Sequence, residues 1–140
     1  MSRLARSAAA AAAIFAVSSA TCARADILVR VDKSRQSMSV IVDGEHRYTW
    51  AVSTGVGGTP SGSYRPRSLA RHHRSNLYHN APMPHSIFYS GNFAIHGTVH
   101  IAQLGGRASH GCIRLHPANA AILFALVQKE GLAGTRIVVH

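Results

Sequence analysis

The chain has 140 residues, with 15 Lys or Arg against 5 Asp or Glu and a formal charge of +10. That length holds one domain and excludes a multidomain enzyme, and a hydrophobic share of 46% with 6% aromatics excludes a chain disordered throughout. Five acidic groups are too few for paired-carboxylate catalysis or a calcium or magnesium cage, so the candidate chemistry falls to ten His, the Ser and Thr hydroxyls and two Cys.

The first segment reads as an export signal. Arg3 and Arg6 make a basic start, the apolar run Ala8 to Val17 follows, and small residues lead to Ala23-Arg24-Ala25. A basic n-region, a short h-region and an A-x-A site form the secretory pattern, and the run is too short to span a bilayer permanently. Cleavage after residue 25 is expected to leave 26–140 as the working domain. Loss of Arg3, Arg6 and Arg24 then lowers the balance from +10 to +7. Cys22 leaves with the signal, and its flanks lack the aliphatic residue of a lipoprotein box, so a stable membrane anchor is not expected. The domain keeps one cysteine, Cys112, an intermolecular bridge, a reactive thiol or a buried inert residue. Its positive charge points to anionic partners, and export makes nucleic acid the weakest of these.

Asp26 to Asp32 alternates Ile27, Val29 and Val31 with polar neighbours, a period-2 strand. Ser37 to Val42 alternates likewise, and Asp43-Gly44 reads as a tight hairpin turn into a strand from Glu45 to Ser53. That strand places His46, Tyr48, Trp50 and Val52 on one face. Thr54 to Ser63 is a Gly/Pro/Ser loop. Tyr64 to Pro84 has no clean period and carries Arg65, Arg67, Arg71, His72, His73 and Arg74; a basic irregular stretch of this length suggests a lid or binding loop. Ser86 to His96 is strand-like. Pro117 to Glu130 predicts a helix with Ala120, Ile122, Leu123, Leu126 and Val127 as its apolar face and Gly131 as its stop. Thr135 to His140 is a closing strand. The fold class expected is mostly β with one flanking helix.

Chemistry concentrates between His96 and His116. A reactive cysteine needs a lowered thiol pKa or an adjacent base, and imidazole is the usual base. His110 stands two residues before Cys112, and His96 closes the apolar strand Phe93-Ala94-Ile95, placed to cross to the loop that bears Cys112. Gly111 lets the backbone approach a substrate closely, and amides around Cys112 can supply an oxyanion hole. No acidic residue lies between Glu45 and Glu130, so a backbone carbonyl is the expected orienter of a catalytic imidazole. A zinc site from His96, His100, His110, Cys112 and His116 is the competing reading by ligand type. Its spacings match no compact zinc pattern, and no acid stands ready as a hydrolytic base. No metal and no other cofactor is expected.

The segments His96-Gly97-Thr98 and Ser109-His110-Gly111-Cys112-Ile113-Arg114 resemble the active-site signature of the L,D-transpeptidases, the YkuD-like catalytic domain. The loop Gly55 to Tyr64, with Thr59-Pro60-Ser61-Gly62, and the run Ala81-Pro82-Met83-Pro84 resemble the same family, so the likeness covers roughly residues 26 to 140. It implies a β-sandwich or distorted barrel with a flanking helix. It also implies a periplasmic enzyme of cell-wall biogenesis acting on peptidoglycan stem peptides as donor and acceptor.

By that resemblance Cys112 attacks the carbonyl between diaminopimelate and D-Ala, and the thioester passes to an amine, giving a 3→3 cross-link or attachment of an outer-membrane lipoprotein or D-amino acid. His96 is then the general base and acid, its ring held by the Gly97 carbonyl. Ser109 and His110 shape the pocket, the Gly111 and Cys112 amides stabilise the oxyanion, and Arg114 orders the loop or meets a carboxylate. Carbapenem sensitivity and a monomeric state are expected with it. Two further readings stand beside this one. One is the same fold acting as an L,D-carboxypeptidase or peptidoglycan hydrolase; the other is a non-catalytic envelope-binding domain with an inert Cys112.

Overall fold

The computed structural model describes residues 26–140, together with Ala13, Ile14 and Ala16. The expected export signal at 1–25 lies outside the described residues apart from those three. The described residues carry nine strands and one α-helix, besides two single-turn 3-10 helices: β1 (Ile27–Asp32), β2 (Ser37–Val42), β3 (Glu45–Ala51), β4 (Gly62–Tyr64), β5 (Ser68–Arg74), β6 (Pro82–Ser90), β7 (Phe93–Gly97), β8 (Ile113–Leu115), α1 (Pro117–Glu130) and β9 (Thr135–Val139).

They form two sheets that do not close into a barrel. The first has the order β3-β2-β1-β9-β4, and the second β5-β6-β7-β8. β1 and β2 pair antiparallel from Ile27↔Val42 to Asp32↔Ser37, because alternation puts Ile27, Val29, Val31, Met38, Val40 and Val42 on one face. Asp43 and Gly44 both take positive φ, 52° and 77°, which a two-residue hairpin turn demands. The chain's last strand, β9, lies parallel to β1 and antiparallel to β4, so it fills the middle of the first sheet rather than its edge. Side chains from both sheets and from α1 share one continuous core, with Ile87, Ile95, Ile113 and Leu115 from the second sheet and Leu123 and Phe124 from the helix.

Four expectations change. The register slips between Val40 and Ile41, so Tyr48 and Trp50 stay opposite Val40 and Met38 while His46 comes opposite Ile41 and is exposed. The one extra residue, Arg47, moves His46 off the face it would share with Tyr48.

The basic stretch 64–84 is mostly strand: β5 pairs with β6 from Ser68↔Phe88 to Arg74↔Pro82, leaving a turn at residues 75–81. β5 is an edge strand, largely open to solvent, so no alternation of hydrophobic side chains marks it. The single strand-like run 86–96 is a hairpin, turned at Gly91-Asn92 between β6 and β7. In α1 the buried stripe is Ala120, Leu123, Phe124 and Val127, an i, i+3, i+4, i+7 row, and Ile122 faces outward. Among the described residues no helix is long and apolar enough to cross a membrane.

Candidate active site

His96 is the fourth residue of β7, which is buried from Ala94 to Gly97. In the parallel ladder β7–β8 it stands opposite Arg114, and Gly97 stands opposite Leu115. The side chain is 6% exposed, and its Nδ1 lies 2.7 Å from the Gly97 carbonyl oxygen. A carbonyl only accepts, so Nδ1 carries the proton and Nε2 is left as a lone-pair acceptor. Gly97 also lets the helix approach. A Cβ there would meet Pro84 at 3.1 Å and Pro117, the first residue of α1, at 3.3 Å.

Cys112 ends the loop that runs from β7 to β8, and its Sγ points along the β6–β7 hairpin turn, 3.7 Å from the Asn92 carbonyl oxygen. The loop is clamped on several sides. Ser109 Oγ donates to the Cys112 carbonyl at 2.6 Å and accepts the Gly111 N–H at 3.1 Å. Thr59 Oγ1 donates to the Gly111 carbonyl at 2.8 Å. Ser53 and Arg114 exchange two backbone hydrogen bonds, and the Ala108 and Ser109 amides both donate to the Thr54 carbonyl. Gly111 sits at φ +138°, and a Cβ there would fall 2.4 Å from the Phe93 ring, so only glycine fits.

His96 and Cys112 line one cleft of about 610 Å³, together with Ser109, Arg114 and Tyr78. Burial pushes the His96 imidazole down to about 4; the hydrogen bond to Gly97 opposes this, and the charges of Arg114 and His73 add to it. Burial pushes the Cys112 thiol up, against the pull of the Ala94 backbone N–H and the Arg114 charge. At neutral pH the two groups are therefore a neutral thiol and a neutral imidazole.

The remaining sequence candidates fall into distinct places. Gly111 does not offer its amide to the cleft, because Ser109 Oγ takes that N–H; of the two oxyanion candidates this leaves the Cys112 amide. His110 lines the same cleft and stacks on Tyr78 there, centroids 3.9 Å apart and planes 7° from parallel. Arg114 lines the cleft and contacts Gln103 at 3.4 Å. Among the described residues no three His, Cys, Asp or Glu gather in a metal-ligating group, so His96, His100, His110, Cys112 and His116 do not form a ligand set.

Sequence reasoning missed Tyr78 and Asn92. Tyr78 belongs to the turn whose amides at Leu77 and Tyr78 donate to Ser75 Oγ, and an exposed aromatic in a polar turn was its one available signal. Asn92 acts through its carbonyl, which no side-chain pattern announces.

The profile of the YkuD family, the L,D-transpeptidase catalytic domain, matches residues 26–139. No curated protein matches the chain. Among solved structures, an L,D-transpeptidase from Mycobacterium smegmatis superposes with a TM-score of 0.74 at 23% identity, over 83% of this chain and 59% of that one. An L,D-transpeptidase from Mycobacterium tuberculosis H37Rv gives 0.75 at 20%, over 83% and 58%. LdtMt1, solved in complex with imipenem, gives 0.73 at 23%, over 83% and 59%. The chain thus spans about three-fifths of the length of these structures, which share its fold. Because the family profile covers the whole described domain, the chain belongs to the YkuD family of L,D-transpeptidase catalytic domains.

Proposed function

We propose that the chain is a cysteine L,D-transpeptidase acting on peptidoglycan stem peptides, delivered to the periplasm by residues 1–25. The observation that carries this reading is one cleft holding a half-buried thiol and a buried imidazole whose Nδ1 is committed to a carbonyl. That arrangement leaves Nε2 free to take a proton, with no carboxylate involved.

In the proposed reaction Cys112 Sγ attacks the carbonyl carbon between diaminopimelate and D-Ala as its proton passes to His96 Nε2. The C=O electron pair moves to oxygen, and the Cys112 N–H donates a hydrogen bond to that oxyanion. Collapse breaks the C–N bond, His96 returns the proton to the leaving amine, and D-Ala departs from a thioester on Sγ. An acceptor amine then attacks the thioester; His96 takes its proton and passes it to the departing sulfur. Arg114, on the cleft wall, suits a substrate carboxylate. Water in place of the amine would yield a trimmed tripeptide.

The test is turnover of a disaccharide-tetrapeptide with and without an amine acceptor, read by muropeptide analysis, beside intact-mass spectrometry after imipenem. A D-Ala-releasing, cross-link-forming activity and a single adduct on Cys112 are expected. Cys112→Ala should fold and lose both. An active Cys112→Ala protein, or equal adducts on both proteins, would refute the reading, and product consisting only of free tripeptide would make it a hydrolase. Since nucleophile and base are both protein groups, dialysis against chelator under reductant should leave turnover unchanged. Added zinc should inhibit by occupying thiolate and imidazole.

A further inference from the structure

The peptide joining Gly111 to Cys112 carries two groups that point in opposite directions, because a trans peptide sets C=O and N–H antiparallel. Its carbonyl is held from behind by Thr59, a residue 52 positions away in sequence and 2% exposed. Its N–H, on Cys112, therefore points away from Thr59. Fixing the carbonyl fixes the direction of that N–H.

Thr59 is itself held. Its Oγ1 accepts the Gly55 N–H at 2.9 Å while donating its own proton to the Gly111 carbonyl, so both hydroxyl functions are used and its rotor has one setting. The loop that carries Gly55 and Thr59 is tied to the β1–β2 turn. There the buried Gln36, at φ 50°, donates Nε2–H to Thr54 Oγ1 at 2.7 Å and accepts the Thr54 N–H at 2.9 Å on Oε1. Lys33 Nζ donates to the Thr59 carbonyl at 2.8 Å. A chain of paired polar groups, buried at Gln36, Thr54 and Thr59, thus runs from the first sheet to the peptide beside the thiol, and such networks hold geometry closely.

We infer that Thr59 is a positioning residue whose hydroxyl, by pinning the Gly111 carbonyl, aims the Cys112 N–H at the oxygen that becomes negative during acyl transfer. This rests on the proposed thiol chemistry and deepens it: with the Gly111 amide committed to Ser109, one backbone donor does the work, and its direction is set by a side chain in another part of the chain. An oxyanion donor contributes only when it lies at hydrogen-bond distance from the developing charge, and a misplacement of about 1 Å can cost on the order of a hundredfold in rate.

The test separates aim from structure by using two reactions of the same sulfur. Acylation by imipenem builds an oxyanion, whereas alkylation by iodoacetamide is a displacement that builds none. Thr59→Val keeps the shape and loses the donor; Thr59→Ser keeps the donor. Thr59→Val is expected to acylate about 10- to 100-fold more slowly than wild type while its alkylation rate stays within about threefold, and Thr59→Ser to acylate within a few-fold of wild type.

Unchanged acylation in Thr59→Val, or parallel loss of acylation and alkylation, would overturn the inference. Thr59→Ala takes the place of a Thr59→Val protein that does not fold, under the same criterion, and loss of the fold in both would make Thr59 a structural residue only. Failure of the wild type to acylate at all would instead strike the proposed function, so the two failures are distinguishable.

Discussion

Burial disfavours the ionised forms of thiol and imidazole alike, so at this site it moves their pKa values in opposite directions and both groups rest neutral. The Cys112 thiol is raised and the His96 imidazole lowered to about 4, so the proposed attack needs proton transfer during the step rather than a resting ion pair. This fixes the sign of the pH dependence. His96 stays an unprotonated base down to about pH 4, well below the ordinary imidazole value of 6.5. Imipenem acylation at pH 5.5 should therefore run near its neutral rate, with the acid limb of the profile close to 4. A limb at 6.5 would contradict the buried environment. His96→Gln should lower acylation by about 10²–10⁴ and abolish that limb. That His96 and Cys112 would share one cleft was legible in sequence from residue type and position, and so was the carbonyl beside the imidazole, from the absence of acids. That Gly111 spends its amide on the Ser109 hydroxyl was not, because the loop's path, not the order of its residues, decides which acceptor that N–H meets.

At the scale of elements, the strands flanked by clear alternation were legible, and the exceptions have physical causes. β5 has solvent on its outer edge, so Arg71, His72 and Arg74 are exposed on both of its faces and no apolar alternation appears. Arg71 nevertheless contributes packing, with its guanidinium 5.2 Å from the Phe124 ring centre. The helix segment Ala120 to Val127 is apolar on most sides, which blurs its phase; tertiary contact with β6 and β7 selects Phe124 over Ile122 for the inside.

α1 also abuts the site, since Pro117 and Ala120 lie against Gly97. Leu123→Ala removes a fully buried side chain from this helix and should cost about 2–5 kcal/mol, read as a shift in denaturation midpoint. Ile122→Ala, on the outer face, should cost well under 1 kcal/mol. Equal losses at the two positions would show that the helix phase is wrong.

Over the whole molecule the depressed His96 pKa becomes a stability term. Between pH 6.5 and about 4 the unfolded chain protonates this imidazole while the folded chain does not, so unfolding takes up a proton and stability falls as the pH drops. The His96 contribution is fully present above 6.5 and gone below about 4. Its size is on the order of 3 kcal/mol from a shift of roughly two and a half pH units. His85, lowered chiefly by burial with Arg71 and His72 beside it, acts in the same direction. Urea midpoints measured at steps from pH 7 to pH 4 should decline for wild type and decline less for His96→Gln. Equal slopes would remove His96 as a cause.

Sequence alone determined which residues are the candidates for the chemistry and which class of fold holds them. Thiol, imidazole and glycine announce themselves by type, and alternating strands by period, because both are properties of neighbours along the chain. Tertiary structure decided what depends on residues far apart. It inserted the last strand, β9, beside the first, and placed the basic stretch in a sheet edge. It turned His110 onto Tyr78 and brought Thr59 under the Gly111 carbonyl. Those choices follow from burial and from satisfying buried polar groups, both of which are settled only when the whole core closes.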